Sequence, residues 1–233
     1  MPQINMKPRF TKHPLAAAAL LGSLTLPLHA GVTGFRNVQS ISMGIGAGEV
    51  IAFSPTQDTL AVTDNSAGGI RLFRHDGTSF ANHAVVDVAA WFTTNPVAGF
   101  TYRDVTSVAL DRDGSGLGVA VALNGSVVNV GGTDYTNTIP QQGRVVFFDL
   151  NTGTVLGSLP VGYHPDTVTI KGGRIAIANE AEHAWNGSGV DIAAFDGVQQ
   201  PGSVSVIDAT AVNAGNLATF DFSTLVVNTV DFS

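Results

Sequence analysis

The chain has 233 residues, 44% of them apolar and only 12% charged, with 27 glycines and no cysteine. That composition excludes a disordered polymer, and it excludes disulfides, thiol catalysis and thiolate metal sites. Its formal charge of −7 opposes binding to nucleic acid or to anionic lipid.

At the N-terminus, Lys7, Arg9 and Lys12 precede the apolar run PLAAAALLGSLTLPLHA, Pro14 to Ala30. A basic start, a short apolar stretch and small residues at its end predict a secretory signal peptide over residues 1–30. The run is too short and too broken for a comfortable membrane span. Cleavage after Ala30 removes three basic residues and leaves eight against 18 acidic ones, a formal charge of −10. The expected location is secreted, periplasmic or cell-surface, with no integral membrane segment after cleavage.

Three units follow, at about 49–98, 104–162 and 166–222. The first begins EVIAFSPTQDTLAVTDNSAGGIRLFRHDG at Glu49. The second runs DVTSVALDRDGSGLGVAVALNG from Asp104 and resumes at GRVVFFDLNTGTVLGSLPVG from Gly143. The third runs DTVTIKGGRIAIANE from Asp166 and resumes at GSVSVIDAT from Gly202. Each reads as a short strand (Ile51–Phe53, Ser107–Leu110, Val168–Ile170), a tight turn, and a second strand (TLAVT, LGVAVAL, RIAIAN). A loop leads to a third strand (GIRLFR, GRVVFFDL, GSVSVIDA), and then a fourth (HAVVDV, TVLGSLPV, LATFDF). No helix-period segment of useful length interrupts them. Repeated four-stranded antiparallel units predict an all-β, β-propeller-type domain over residues 31–233.

The segments GRVVFFDLNTGTVLGSLPVGYHPDTVTI, IANEAE and PGSVSVIDAT resemble the choice-of-anchor I family of exported propeller-like proteins, which is similar to bacterial YVTN-type repeats. The resemblance implies a secreted or surface-held protein and supplies no defined activity. Some members occur beside phosphatase or nucleotidase domains. Three blades are fewer than a closed propeller uses, so the expectation is a truncated chain, part of a propeller of about seven blades. The outermost units should then leave apolar flanks uncovered, at Val50, Phe53, Val204 and Ile207.

Up-and-down topology brings the start of each first strand and the end of each second strand to one face. Glu49, Asp104 and Asp166 occupy the slot before the first strand. Asp64 and Asn65, Asn124, and Asn179 with Glu180 occupy the slot after the second. His164, Glu182 and His183 join them in the third unit, and the long loops 124–142 and 180–201 emerge there. An acidic, loop-bearing face follows, the usual place for a binding site on a rigid scaffold. Four readings stay open. The acids and asparagines cap strand ends through backbone hydrogen bonds, or Glu49, Asp104, Asp166, Glu180 and Glu182 hold Ca2+ or another hard cation. Asp64, Asn65, Asn124, His164, Asn179 and His183 would then complete a ligand face. His164 and His183 could alternatively hold a transition metal, although their spacing matches no standard motif, and Asp166 with Glu180 or Glu182 could serve as a general acid–base pair, given a carboxyl of shifted pKa.

DRDGSG at Asp111–Gly116 matches the first half of an EF-hand loop, but Ala122 stands where the bidentate Glu belongs and a strand follows; it reads as a hairpin turn. Asn124-Gly-Ser126 and Asn186-Gly-Ser188 match the glycosylation sequon. There is no P-loop, dinucleotide fingerprint, HExxH or nucleophile elbow. The leading functional expectation is an exported binding or surface-interaction module for a protein or carbohydrate partner, more a binder than an enzyme on this chain. The alternative is a cation-dependent phosphoester hydrolase or phosphatase-associated domain.

Overall fold

Runs such as LGVAVALN and RIAIAN are rich in Val and Ile, which suit a pleated, packed surface better than a helix. The computed structural model describes residues 39–43, 47–130, 133–136, 141–181 and 201–232. The chain divides into Met1–Ser40 and Ile41–Ser233, and all the elements belong to the second unit. The expected signal segment, Glu182, His183 and the Asn186 sequon lie outside the described residues.

The first sheet contains β1 (Ala47–Ser54), β2 (Thr59–Asp64), β3 (Gly69–His75) and β4 (Phe80–Asp87). Helix α1 (Val88–Thr94) follows, its first turn capped by the Asp87 carboxylate, which accepts from the Ala90 amide. The middle sheet contains β5 (Tyr102–Leu110) and β6 (Leu117–Asn124). The hairpin strands β7 (Val127–Val130) and β8 (Thr133–Thr136) form an excursion before β9 (Gln142–Asp149) and β10 (Val155–Tyr163). The third sheet contains β11 (Pro165–Lys171), β12 (Arg174–Asn179), β13 (Ser203–Asp208) and β14 (Val227–Asp231).

Among the described residues each of these three sheets is an antiparallel meander of four strands in sequence order, the middle one skipping its inserted hairpin. This is the blade pattern expected of an all-β, propeller-type fold. The first strands stand side by side, with β5 beside both β1 and β11.

Two cores lie between the sheets. Ile70, Leu72 and Val86 of the first sheet meet Val108, Ala120, Val146 and Phe148 of the middle one. On the other side of the middle sheet, Val119, Val121 and Phe147 meet Val168, Ile170, Ile175, Ile177 and Ile207 of the third. Each large apolar side chain taken fully from water contributes about 1.5–3 kcal/mol, so these two layers hold the blades together. Contact across a sheet is close at Gly118, where a Cβ would lie 2.3 Å from the Phe148 ring of the neighbouring strand. Gly172 and Gly173, at φ +55° and +71°, form the two-residue turn joining Lys171 to Arg174, a hairpin geometry that needs positive φ at both positions.

Two expectations are corrected. The fourth strand of the third unit is not LATFDF but β14, which pairs with β13 through Val204 and Val230. In LATFDF and its surroundings, short polar side chains bond to nearby backbone: the Asn216 carbonyl takes the Asn213 amide and the Asp221 carboxylate takes the Ser223 amide. Such local bonds compete with a ladder, and two 3-10 turns form instead, at Leu217–Thr219 and Phe222–Thr224. Leu217 and Phe222 are buried, and Phe222 stacks on Phe147 at 4.6 Å. The flank residues also differ. Ile207 is fully buried and Val50 packs against the first core, because strand alternation turns both inward. Phe53 stays 42% exposed, and Val204 is half-buried.

Candidate functional site

The start of each first strand and the end of each second strand do lie at the same edge of their sheet. Ala47 pairs with Asp64, Tyr102 with Asn124, and Pro165 with Asn179. Glu49, Asp104 and Asp166 sit within these first strands and not ahead of them. Each falls where the ladder is irregular: between Ala47 and Ile51, between Tyr102 and Val105, and between Pro165 and Thr167. Extra residues at such a point leave backbone unpaired and re-aim side chains. Three blades therefore repeat one device, an acidic residue carried on a break in the first strand. No feature of the amino-acid pattern signals these breaks.

Glu49 and Glu180 are exposed, while Asp104 and Asp166 are partly so. The Arg103 guanidinium lies 3.0 Å from the Asp104 carboxylate, and the Thr167 hydroxyl donates to Asp166 at 3.3 Å. The Glu180 amide donates to the His164 carbonyl, and the His164 amide to Gln141. His164 holds φ +48°, outside the usual range for a side-chain-bearing residue.

The residues after the second strands act mainly in the scaffold. Asp64 is fully buried and pairs with Arg71 at 2.6 Å, while also accepting from the Ser66 hydroxyl and the Ala67 amide. Burial by itself would raise its pKa, but the Ser66 hydroxyl, the Arg71 guanidinium and the Ala67 amide together hold it below the usual carboxylate value. Asn65 bridges two blades: its carbonyl accepts the Val105 amide at 2.8 Å and its amide donates to the Val105 carbonyl at 3.2 Å. The Tyr102 hydroxyl closes the same joint on the Gly68 carbonyl, and burial, with the charges of Asp104 and Asp87, pushes its pKa up. Asn124 accepts from the amides of Thr101 and Ser126 and donates to Gly99. Asn179 donates to the hydroxyls of Ser203 and Ser205.

The second joint is built the same way, with Thr106 donating to the Pro165 carbonyl at 2.8 Å and the Ser107 hydroxyl accepting the Val168 amide. These blade-to-blade bonds fix the relative heights of the three acidic residues. Among the described residues no three His, Asp or Glu side chains gather in a group able to hold a metal ion.

The expected turn at DRDGSG is present, joining β5 to β6, with Asp111 98% buried in it. Its burial is not visible in the sequence, where the turn reads as solvent-facing.

A family model, the choice-of-anchor I domain, matches residues 49–233. No curated protein matches the sequence. Among solved structures, the hydrazine synthase of Kuenenia stuttgartiensis is similar at 11% identity with a TM-score of 0.23, over 85% of this chain and 70% of that one.

Proposed function

The chain belongs to the choice-of-anchor I family, and from that premise we propose that it is an exported binding module whose partner meets the acidic end of the blades. The family is associated with cell-surface proteins, and the fold supplies a rigid propeller-like scaffold. The observation that carries the proposal is the repetition of Glu49, Asp104 and Asp166 on breaks in three adjacent first strands, at one end of the sheets. Scaffold residues at that end are tied down by hydrogen bonds, while Glu49 is exposed and Asp104 and Asp166 are partly so. The connections between the second and third strands, 124–142 and 180–201, leave from the same end, where a rigid scaffold usually carries its binding loops. A face of this charge suits a cationic or hydroxyl-rich partner, a basic protein segment or a carbohydrate. No observation among the described residues favours phosphoester hydrolysis over binding.

The test is retention on intact cell envelopes and on a glycan array, comparing the wild type with Glu49→Gln/Asp166→Asn/Glu180→Gln. The triple variant should lose at least tenfold in affinity while keeping its melting temperature within a few degrees. Equal binding by both proteins would place the partner elsewhere. Export is tested separately, by mass spectrometry of the extracytoplasmic protein. An N-terminus at Gly31 is expected, and recovery of Met1 only from the cytosol would refute it.

A further inference from the structure

Between the middle and third blades lies a cavity of about 250 Å3, lined on one side by Asp111, Asp113 and Ser115 and on the other by Gly173, Thr210 and Asn213. Among the described residues no basic side chain lines it. Asp111 is 98% buried. Its Oδ2 accepts from both the amide and the hydroxyl of Ser115, at 3.0 and 2.6 Å. Its Oδ1 is buried and has no hydrogen-bond partner among the described residues. A buried carboxylate oxygen left unmatched is costly, and native structures rarely keep one without a ligand to satisfy it.

We propose that the Asp111–Gly116 turn is a binding site for a hard divalent cation, calcium by preference, seated between the middle and third blades. The turn holds oxygen-bearing residues at alternate positions, Asp111, Asp113 and Ser115, the spacing that wraps oxygen ligands around calcium. The orphaned Oδ1 of Asp111 is one ligand. Asp113 supplies a second: its Oδ2 accepts the Gly172 amide of the neighbouring blade at 2.9 Å, and its other oxygen is left for the cation. Ala122 stands at the position of the usual bidentate Glu, so the remaining oxygens come from across the cavity, from Thr210 and Asn213, and from water. Two carboxylates match one divalent charge. The cation is then a rivet joining the β5–β6 turn to the third blade, at the end of the sheets opposite Asp64 and Asn124, and distinct from the acidic face proposed for the partner.

Calorimetric titration of the full chain with Ca2+ tests this, with thermal melts alongside. One ion per chain is expected, with Kd about 10⁻⁴–10⁻³ M, the range of extracellular calcium modules. At 10 mM calcium the melting temperature should rise by about 3–10 °C. Asp113→Asn changes an exposed residue and should keep the fold while weakening binding at least tenfold. Asp111→Asn should abolish it; should that protein fail to fold, Asp113→Asn still decides. The double variant Asp166→Asn/Glu180→Gln should bind calcium as the wild type does. The proposal is overturned by absence of binding up to 10 mM, by unchanged affinity in Asp113→Asn, or by loss of binding in the double variant.

Discussion

The middle and third sheets are built from the same meander, yet their second strands are buried differently. In β6 every residue from Leu117 to Leu123 is buried; in β12 Ile175, Ile177 and Asn179 are buried, while Arg174 and Ala178 are exposed. The slot in the blade is the same and the residue types are similar. What differs is cover: among the described residues the middle sheet has a core on each face, the third on one. Continuous apolar runs belong to strands packed on both sides, and alternating ones to strands packed on one. The uncovered face of the third sheet still carries Val206 at 40% and Val230 at 62% exposure.

The largest effect is expected at the ring stack. Phe147→Ala removes a fully buried ring packed on Phe222 and should cost about 3–5 kcal/mol in a urea melt. Next comes the joint between the first two blades. Asn65→Ala strands the amide and carbonyl of Val105, and a loss of about 1–3 kcal/mol is expected by the same melt. On the uncovered face, Val206→Ala should cost no more than about 0.5 kcal/mol, the usual range for a surface position. A cost near that of Phe147→Ala would show that the Val206 face is packed as fully as the core between the middle and third sheets, and the contrast would fail.

The smallest effect concerns acid. Asp64 is held below its ordinary pKa of 3.8 in the folded chain, so its contribution is complete above that value and is lost as pH falls through it toward the folded pKa. Asp76, Asp208 and Asp221 are lowered likewise, chiefly by hydrogen bonds from Ser79, Thr210 and Ser223. Stability should therefore decline below about pH 4. Asp64→Asn should make that decline shallower, although the variant starts lower because Arg71 loses its partner. An unchanged slope would mean that the pair with Arg71 contributes nothing to folding.

The blades were legible in the sequence because their periodicity is strong. Turn residues such as Gly172-Gly173 mark the hairpins, and β-branched runs mark the strands between them. LATFDF misled because its alternation is that of a strand, while the local bonds of Asn213, Asn216 and Asp221 impose turns that alternation does not encode. Ile207 was assigned to the wrong face because its neighbours Val204 and Val206 are equally apolar, so hydrophobicity cannot tell inside from outside there. The shared edge of Asp64, Asn65, Asn124 and Asn179 followed from topology. Their employment as clamps, the breaks beneath Glu49, Asp104 and Asp166, and the burial of Asp111 depend on contacts between blades, which no single repeat contains.

The connections between second and third strands have one more implication, for what their length costs. In the first blade this connection is the short stretch 65–68; in the others it runs through 125–141 and 180–202. The entropy of closing a loop grows only with the logarithm of its length, about 0.6 kcal/mol for each doubling. Loops some four to six times longer therefore cost on the order of 1–2 kcal/mol more, less than the loss expected from deleting a single core ring. The ladders on either side stay in register, as Leu117 opposite Asp149 and Arg174 opposite Asp208 show. The length of these two connections can thus change at small cost in stability while the blades beneath remain unaltered.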